Sequence, residues 1–520
     1  MTNYVVGALA RFAEYGGREA IVGPDRRLSY ADLCRRIPAL ATVLRAHGVR
    51  PGTPIAVLSG NRPETMQLQL AAHLLGCRTA WMSYNTSVRE QADYLDRADV
   101  EFLVYDTGRH LELAAELLAG DWRGTVLCLG PGGAGPDLLA EVDAAAATGT
   151  GDVVTEPESI FHTGGTTGLP KLVHHGHRFF LALMQMGADW LDAGLPSFRY
   201  LAQAGFYHVA GQMIDLWMLF TGGTLVLREG LDVPALLDTI ARERISSALF
   251  TPVQFYGLLD HPALADADLS SLLMVNLGGA AVSPRRLRQG IERFGPTLRP
   301  VYGMSEAPFV TEYRNVTVDP DHPRRLESCG YAFEFADSRI EIRDEHGGPC
   351  PAGAPGEVWT TGSLVMKGYW DEPELTRETL VDGWIRTGDI GYLEPDGFLY
   401  LVDRSKDMIV TGAGANNMYT KPIEDALTGH ALVRAASVIG VPDEAVGEAI
   451  LACVVTEPGA QVGADELRAL VTREVSGLHA PHRVEFVDSL PVTGFGKVDK
   501  KALRVRYGAG PNLPADSAVR

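Results

Sequence analysis

Residues Ile160 to Leu172 read IFHTGGTTGLPKL, an apolar segment running into threonines, three glycines, a proline and a lysine. Glycine lets a backbone approach an anion closely. The N–H groups of Gly164, Gly165 and Gly168, with the hydroxyls of Thr163, Thr166 and Thr167, can wrap a triphosphate. Lys171 adds a point charge. This is not a Walker A loop, because Pro170 stands where the glycine before the lysine would be.

Other constellations follow at intervals. Tyr302-Gly303-Met304-Ser305-Glu306 offers an aromatic face for a flat base, a hydroxyl for a phosphate and a hard oxygen of the kind Mg2+ prefers. Leu277 to Pro284 reads LGGAAVSP, and there Gly279 and Ala280 allow a base to lie on the backbone. Trp384 to Asp389 reads WIRTGD and places a carboxylate at a turn, fourteen residues before Asp403-Arg404-Ser405-Lys406-Asp407. Near the end, PVTGFGKVDK sets Lys497 beside Gly494 and Gly496, in a loop that the two glycines make mobile. Phe206-Tyr207-His208-Val209-Ala210-Gly211 puts a histidine among aromatics. Only seven of the 46 Lys and Arg residues are lysines, and Lys171, Lys406 and Lys497 each fall inside one of these motifs.

Together these segments resemble the signatures of the acyl-adenylate-forming (ANL) superfamily of acyl-CoA synthetases, peptide-synthetase adenylation domains and luciferases. The resemblance covers residues 20 to 504, in the family's order. It implies an AMP-forming ligase of the acid–thiol type that uses ATP and Mg2+. It implies that Lys497, Glu306, Ser305 and His208 are catalytic, with Glu306 the metal ligand. The nucleotide would meet Thr163, Gly164, Gly165, Thr166, Thr167, Gly168, Lys171, Gly279, Ala280, Tyr302, Gly303, Asp389 and Arg404. Asp389 would accept both ribose hydroxyls. Tyr207, His208, Gln212, Ala280, Ala281, Met304 and Phe309 would line a medium-sized pocket for an aromatic or short-to-medium acid. Lys406 would be the hinge about which a small domain turns between half-reactions.

The sequence departs from the family pattern in three places. Gly164 stands where serine is usual, and Ala281 where proline is frequent. After Val410 the chain reads TGAGANNMYTKPIE, two residues longer than the usual loop, with Pro422 at a glutamate position. In CoA ligases that loop borders the pantetheine tunnel. The departure therefore bears on the acceptor, for which the resemblance makes CoA the first expectation. A carrier-protein thiol, an amine, or nitrite activation toward an aromatic amine are alternatives.

The elements that must position these residues alternate. PIAVLSG, EFLVYD, GTLVLRE and SALFTP read as buried strands, and Tyr30 to His47 and Val233 to Arg244 as amphipathic helices. This predicts an α/β fold with largely parallel sheets. Gly130 to Gly151 reads as a loose connector, and Ile340 to Leu401 as a β-rich subdomain of short strands. The expected organisation is an N-terminal adenylate-forming domain over 1–403, built of layered α/β subdomains plus the β-rich subdomain. A hinge follows at 404–406, then a small mobile α+β domain over 407–506 and a disordered tail over 507–520.

The formal net charge is -19, which repels phosphate backbones and anionic lipid and argues against nucleic-acid or membrane partners. No apolar run is long enough to span a bilayer. The six cysteines are scattered, with no metal spacing and no disulfide framework, which suits a reducing cytoplasm. The expected partners are a small acid and ATP, with a carrier protein among the acceptors considered and a homodimer as the family-like assembly.

Overall fold

The computed structural model describes residues 3–84, 86–144, 155–163, 171–322, 324–404, 407, 409–411, 416–443, 447–493 and 497–508. The four apolar runs form the strands Pro54–Leu58, Phe102–Asp106, Thr224–Leu227 and Ser247–Phe250. They belong to two large sheets. A nine-stranded sheet has at its centre Leu298–Met304, Met274–Leu277, Ser247–Phe250, Arg199–Ala202, Thr224–Leu227 and Glu19–Val22. These pair in parallel because a helix joins each of its successive central strands, from Arg199–Ala202 to Leu298–Met304. A seven-stranded sheet carries Glu158–His162, Arg78–Trp81, Pro54–Leu58 and Phe102–Asp106, also parallel, with the antiparallel Leu172–His175 beside them.

A helical layer separates the two sheets. The largest hydrophobic cluster draws Ile21 and Tyr200 from one sheet and Ile55 and Val57 from the other. Between them it draws on the helices Tyr4–Tyr15, Tyr30–Ala46, Pro63–Leu74, His177–Asp192 and Val209–Phe220. Helix Val209–Phe220 is buried on nearly every side, as its apolar sequence requires. Helix Tyr30–Ala46 begins where Ser29 and Asp32 cap each other.

The β-rich segment forms a five-stranded antiparallel sheet of Arg339–Arg343, Gly356–Thr361, Trp384–Leu393, Leu380–Val381 and Leu399–Arg404. The small C-terminal domain has its own sheet around Val433–Asp443 and Gly447–Thr456, and its own core of Ile409, Ile423, Leu427, Val438 and Val471. The α/β layering and the large-plus-small arrangement expected from the sequence are both present.

Two expectations need adjustment. The connector after Gly130 contains a helix, Leu138–Ala144, because Leu138 and Val142 bury against the main core. Tyr507 belongs to the helix Lys500–Tyr507, which Asp499 caps and buried Leu503 anchors. Residues 145–154, Ser405, Lys406 and 509–520 lie outside the described residues, and with them two of the three residues expected as a hinge and most of the expected tail. All six cysteines are free thiols. Among the described residues, no helix is long and apolar enough to cross a membrane.

Candidate active site

Strand Glu158–His162 leads into the glycine-rich loop and Leu172–His175 leads out of it. The Thr163 N–H donates to the Lys171 carbonyl at 3.0 Å and closes the loop's mouth. Gly164, Gly165, Thr166, Thr167 and Gly168 lie outside the described residues. Lys171 Nζ sits 3.5 Å from Tyr369 Oη and 4.8 Å from that ring's centroid. Tyr369 Oη in turn donates to Glu306 Oε1 at 2.7 Å. An ammonium, a phenol and a carboxylate thus form one chain at the loop's exit. Burial, and then Glu306, hold the Tyr369 phenol protonated.

Glu306 occupies the turn between the antiparallel strands Leu298–Met304 and Ala307–Glu312. The turn is pinned from two sides. Met366 N–H donates to Glu306 O at 2.8 Å, and His175 Nε2 donates to Ser305 O at 2.8 Å. Burial pushes His175 down to about 3, so its ring is neutral at neutral pH. Gly303 is required by close approach, since a Cβ there would lie 2.3 Å from Pro308 O.

One residue earlier, Tyr302 Oη donates to Asp389 Oδ2 at 2.6 Å. Asp389 is buried, and its own N–H is held by Thr387 Oγ1 at 3.0 Å. The positive φ of Gly388, +70°, turns the strand so that Asp389 faces Tyr302. Asp389 also pairs in register with Arg404, whose backbone ends strand Leu399–Arg404. The Gly279-Ala280-Ala281 loop follows strand Met274–Leu277, is exposed, and lies beside Tyr302 because Gly278 packs on Val301. A flat base and its ribose can be held between this loop, Tyr302 and Asp389.

The His208 segment sits at the C-terminal end of strand Arg199–Ala202, where open α/β sheets place their ligands. Asn61 stitches it down. Its Nδ2 donates to Ala204 O at 2.9 Å, and its Oδ1 accepts from Phe206 N at 3.0 Å. His208 then starts the buried helix Val209–Phe220, and Gly211 lets that helix pass within 2.8 Å, measured from an added Cβ, of Gly205 O. The His208 and Tyr207 rings lie 4.3 Å apart, and Tyr207 meets Tyr84 edge-on at 4.9 Å. Burial pushes His208 down to about 3, with His162 and Lys497 adding to the effect. His208 is therefore a neutral imidazole, and Lys497 stands within electrostatic reach of it.

In this orientation of the small domain the charge of Lys497 is felt at His208 in the large one. The Thr493 N–H donates to Lys497 O at 2.7 Å and closes that loop, while Gly494 and Gly496 lie outside the described residues. Lys500 is already engaged, with Nζ 2.9 Å from Glu424 and 2.8 Å from Thr420 Oγ1.

The expected pocket residues divide. Tyr207 and His208 share the site with Lys497. Gln212 is buried one turn along the helix, where its Oε1 accepts from Gln69 at 3.1 Å. Phe309 packs on Phe333 at 4.5 Å, and Met304 packs on Val173, Met366, Tyr369 and Ile385. The sequence reading missed Tyr369, Tyr84 and Asn61. Each reaches the site through a tertiary contact and carries no motif of its own. Tyr369 arrives only because Gly368–Tyr369 pairs with Leu172–His175.

Among the described residues, no group of three or more His, Cys, Asp or Glu is gathered to hold a metal alone. Mg2+ commonly takes one or two carboxylates together with substrate phosphates. Buried Glu306 fits that pattern, because the bond from Tyr369 engages only one of its two oxygens.

Comparison with known proteins places the chain in a family. A family model described as AMP-binding enzyme matches residues 9–370, and one described as AMP-binding enzyme C-terminal domain matches residues 422–497. The chain is 35% identical to a medium/long-chain-fatty-acid–CoA ligase of Mycobacterium tuberculosis, over 98% of this chain and 90% of that one. It is 35% identical to a feruloyl-CoA synthase of Amycolatopsis, over 92% and 94%. Among solved structures, the amide bond synthetase McbA from Marinactinospora thermotolerans superimposes with a TM-score of 0.86. That match has 35% identity and covers 97% of this chain and 100% of that one.

Proposed function

We propose a two-step reaction for this chain, which belongs to the AMP-binding enzyme family and is an AMP-forming ligase. In the first step a carboxylate oxygen of a small acid attacks the α-phosphorus of ATP. The bond to the bridging oxygen breaks, pyrophosphate leaves, and an acyl-adenylate forms. In the second step the thiol of CoA attacks the acyl carbon, loses its proton and displaces AMP. A free thiol titrates near 8.5, so this step needs a partly ionised or assisted thiol.

The observation that carries the reading is convergence. Lys171, Tyr369 and Glu306 form one chain, Tyr302 and Asp389 another, and Lys497 lies within electrostatic reach of His208. Lys171 and the Thr163–Gly168 loop would hold the β- and γ-phosphates. Asp389 would accept the ribose hydroxyls, and Ser305 would donate to the α-phosphate. Neutral His208, next to the Tyr207 ring, would orient the acid without repelling or protonating it. Glu306 would hold Mg2+, which neutralises charge on the phosphates when bound. Most of the catalysis would come from positioning and preorganised charge.

The acid is proposed to be aromatic or of short to medium chain. The aromatic walls Tyr84 and Tyr207 support this, and so do relatives named for fatty and ferulic acids. A second reading replaces CoA with an amine, giving an amide. It is favoured by similarity along the whole length of an amide bond synthetase and by the lengthened loop after Val410.

The test follows pyrophosphate release with a panel of acids. Without an acceptor, about one equivalent per enzyme is expected. Steady turnover is expected on adding CoA. Turnover with amines and none with CoA would replace the thioester by the amide. Absence of pyrophosphate with every acid would remove the adenylation itself. Glu306→Gln keeps an acceptor for Tyr369 but loses the charge. Its rate is expected to fall at least about tenfold, or ~1.4 kcal/mol, and to recover partly at high Mg2+. An unchanged Mg2+ titration would remove the metal role.

A further inference from the structure

We propose that Arg285 is a positioning residue for adenylation: it holds the small domain in the orientation it adopts in this structure, without touching either substrate. The proposal rests on the adenylation reading above. Helix Pro284–Phe294 begins directly after the Gly279–Val282 loop. Its first turn sends two arginines in opposite directions. Arg286 stays in the large domain, where Nη2 donates to Asp260 Oδ1 at 2.6 Å and the guanidinium lies 4.9 Å from the Tyr256 ring centroid. Tyr256 Oη also accepts from Ser283 N at 2.7 Å. The start of the helix is thereby braced.

Arg285 crosses to the small domain. Its Nε donates to Thr428 O at 3.0 Å and its Nη2 to Val433 O at 3.0 Å. Thr428 lies in the last turn of helix Thr420–Gly429, where carbonyls lack a partner within the helix. Val433 opens strand Val433–Asp443. One planar fork therefore holds a helix end and a strand start together, a geometry that lysine cannot reproduce.

The far end of the same helix leads to the catalytic loop. Thr420 Oγ1 and Glu424 both bind Lys500 Nζ, three residues beyond Lys497. A continuous path thus runs from the nucleotide-facing loop through Arg285 and helix Thr420–Gly429 to Lys497. An ion pair on this seam is weak, with Arg434 Nε 3.9 Å from Asp260 and 51% exposed. If the small domain turns for the second step, the Arg285 fork must open, because its anchor and its acceptors lie on different domains.

The test measures orientation and chemistry in the full-length protein. Dyes are attached through unnatural amino acids at exposed Leu273 and Leu478, which avoids the native thiols. Wild type is expected to give one short-distance population by energy transfer, with or without ATP. Arg285→Ala is expected to add a second population, and Arg285→Lys to fall between. With the acid that reacts fastest in wild type, single-turnover pyrophosphate release should drop about 10- to 100-fold in Arg285→Ala. Consumption of a chemically made adenylate by the acceptor should stay within about twofold, as should both steps in Arg434→Ala. Equal loss of both steps would make Arg285 a folding residue and overturn the proposal. Unchanged distances and rates would overturn it too, while leaving the reaction intact. A wild type that releases no pyrophosphate with any acid would overturn the reaction, and this role with it.

Discussion

Lys497→Ala is expected to lose pyrophosphate release by about 10^2- to 10^3-fold while still consuming a ready-made adenylate. As the carboxylate attacks, negative charge builds on the α-phosphate and the departing pyrophosphate. A preorganised ammonium at that point is worth about 3–4 kcal/mol. The structure adds a reason why no neighbour replaces it. Lys500 is held by Glu424 and Thr420; burial opposes its charge, but Glu424 and Asp403 outweigh that and keep it protonated and engaged. His208, within electrostatic reach of Lys497, is kept neutral mainly by burial. The measurement is single-turnover pyrophosphate release, set beside acceptor-dependent loss of synthetic adenylate. Failure of both steps in a folded variant would remove the two-orientation scheme.

Asp389→Ala is expected to weaken ATP binding by about 10^2-fold or more. Two hydrogen bonds from ribose to a carboxylate contribute roughly 1.5–3 kcal/mol each. The same substitution deprives the Tyr302 phenol of its acceptor at 2.6 Å. Burial holds that phenol protonated, and an unpaired buried donor costs about 1–3 kcal/mol. Part of the loss would then come from the wall of the base site. Asp389→Asn separates the two effects, since it keeps an oxygen for Tyr302 and loses only the charge. ATP titration of the three proteins checks this. Affinity within about twofold of wild type in Asp389→Ala would exclude the ribose role.

Much of the molecule was legible along the chain because short-range rules set it. Buried parallel strands announce themselves as apolar runs such as EFLVYD, and the helix Tyr30–Ala46 as an amphipathic segment. Glycines that a close approach requires also stand out, as at Gly303 and Gly211. A motif such as Tyr302–Glu306 keeps its chemistry within a few residues, so its members reach the site together.

Other features had no local signature. Gln212, Met304 and Phe309 are expected pocket residues whose neighbours no motif announces. In the fold they meet Gln69, Tyr369 and Phe333 respectively, because alternate residues on a strand, or one turn of a helix, face different neighbours. Tyr369 enters the phosphate end of the site from a two-stranded pairing 198 residues away from Lys171.

The sequence by itself determined the chemistry on offer: which residue types are present, how they are spaced, and that they belong to an adenylate-forming α/β enzyme. Only the tertiary structure decided which of them meet. That Tyr369 bridges Lys171 and Glu306, that Tyr302 and Asp389 close on each other, and that Arg285 reaches Thr428 and Val433 are outcomes of sheet order and domain orientation. Such contacts join residues far apart in the chain. Their free energy comes from packing that no local window of sequence contains.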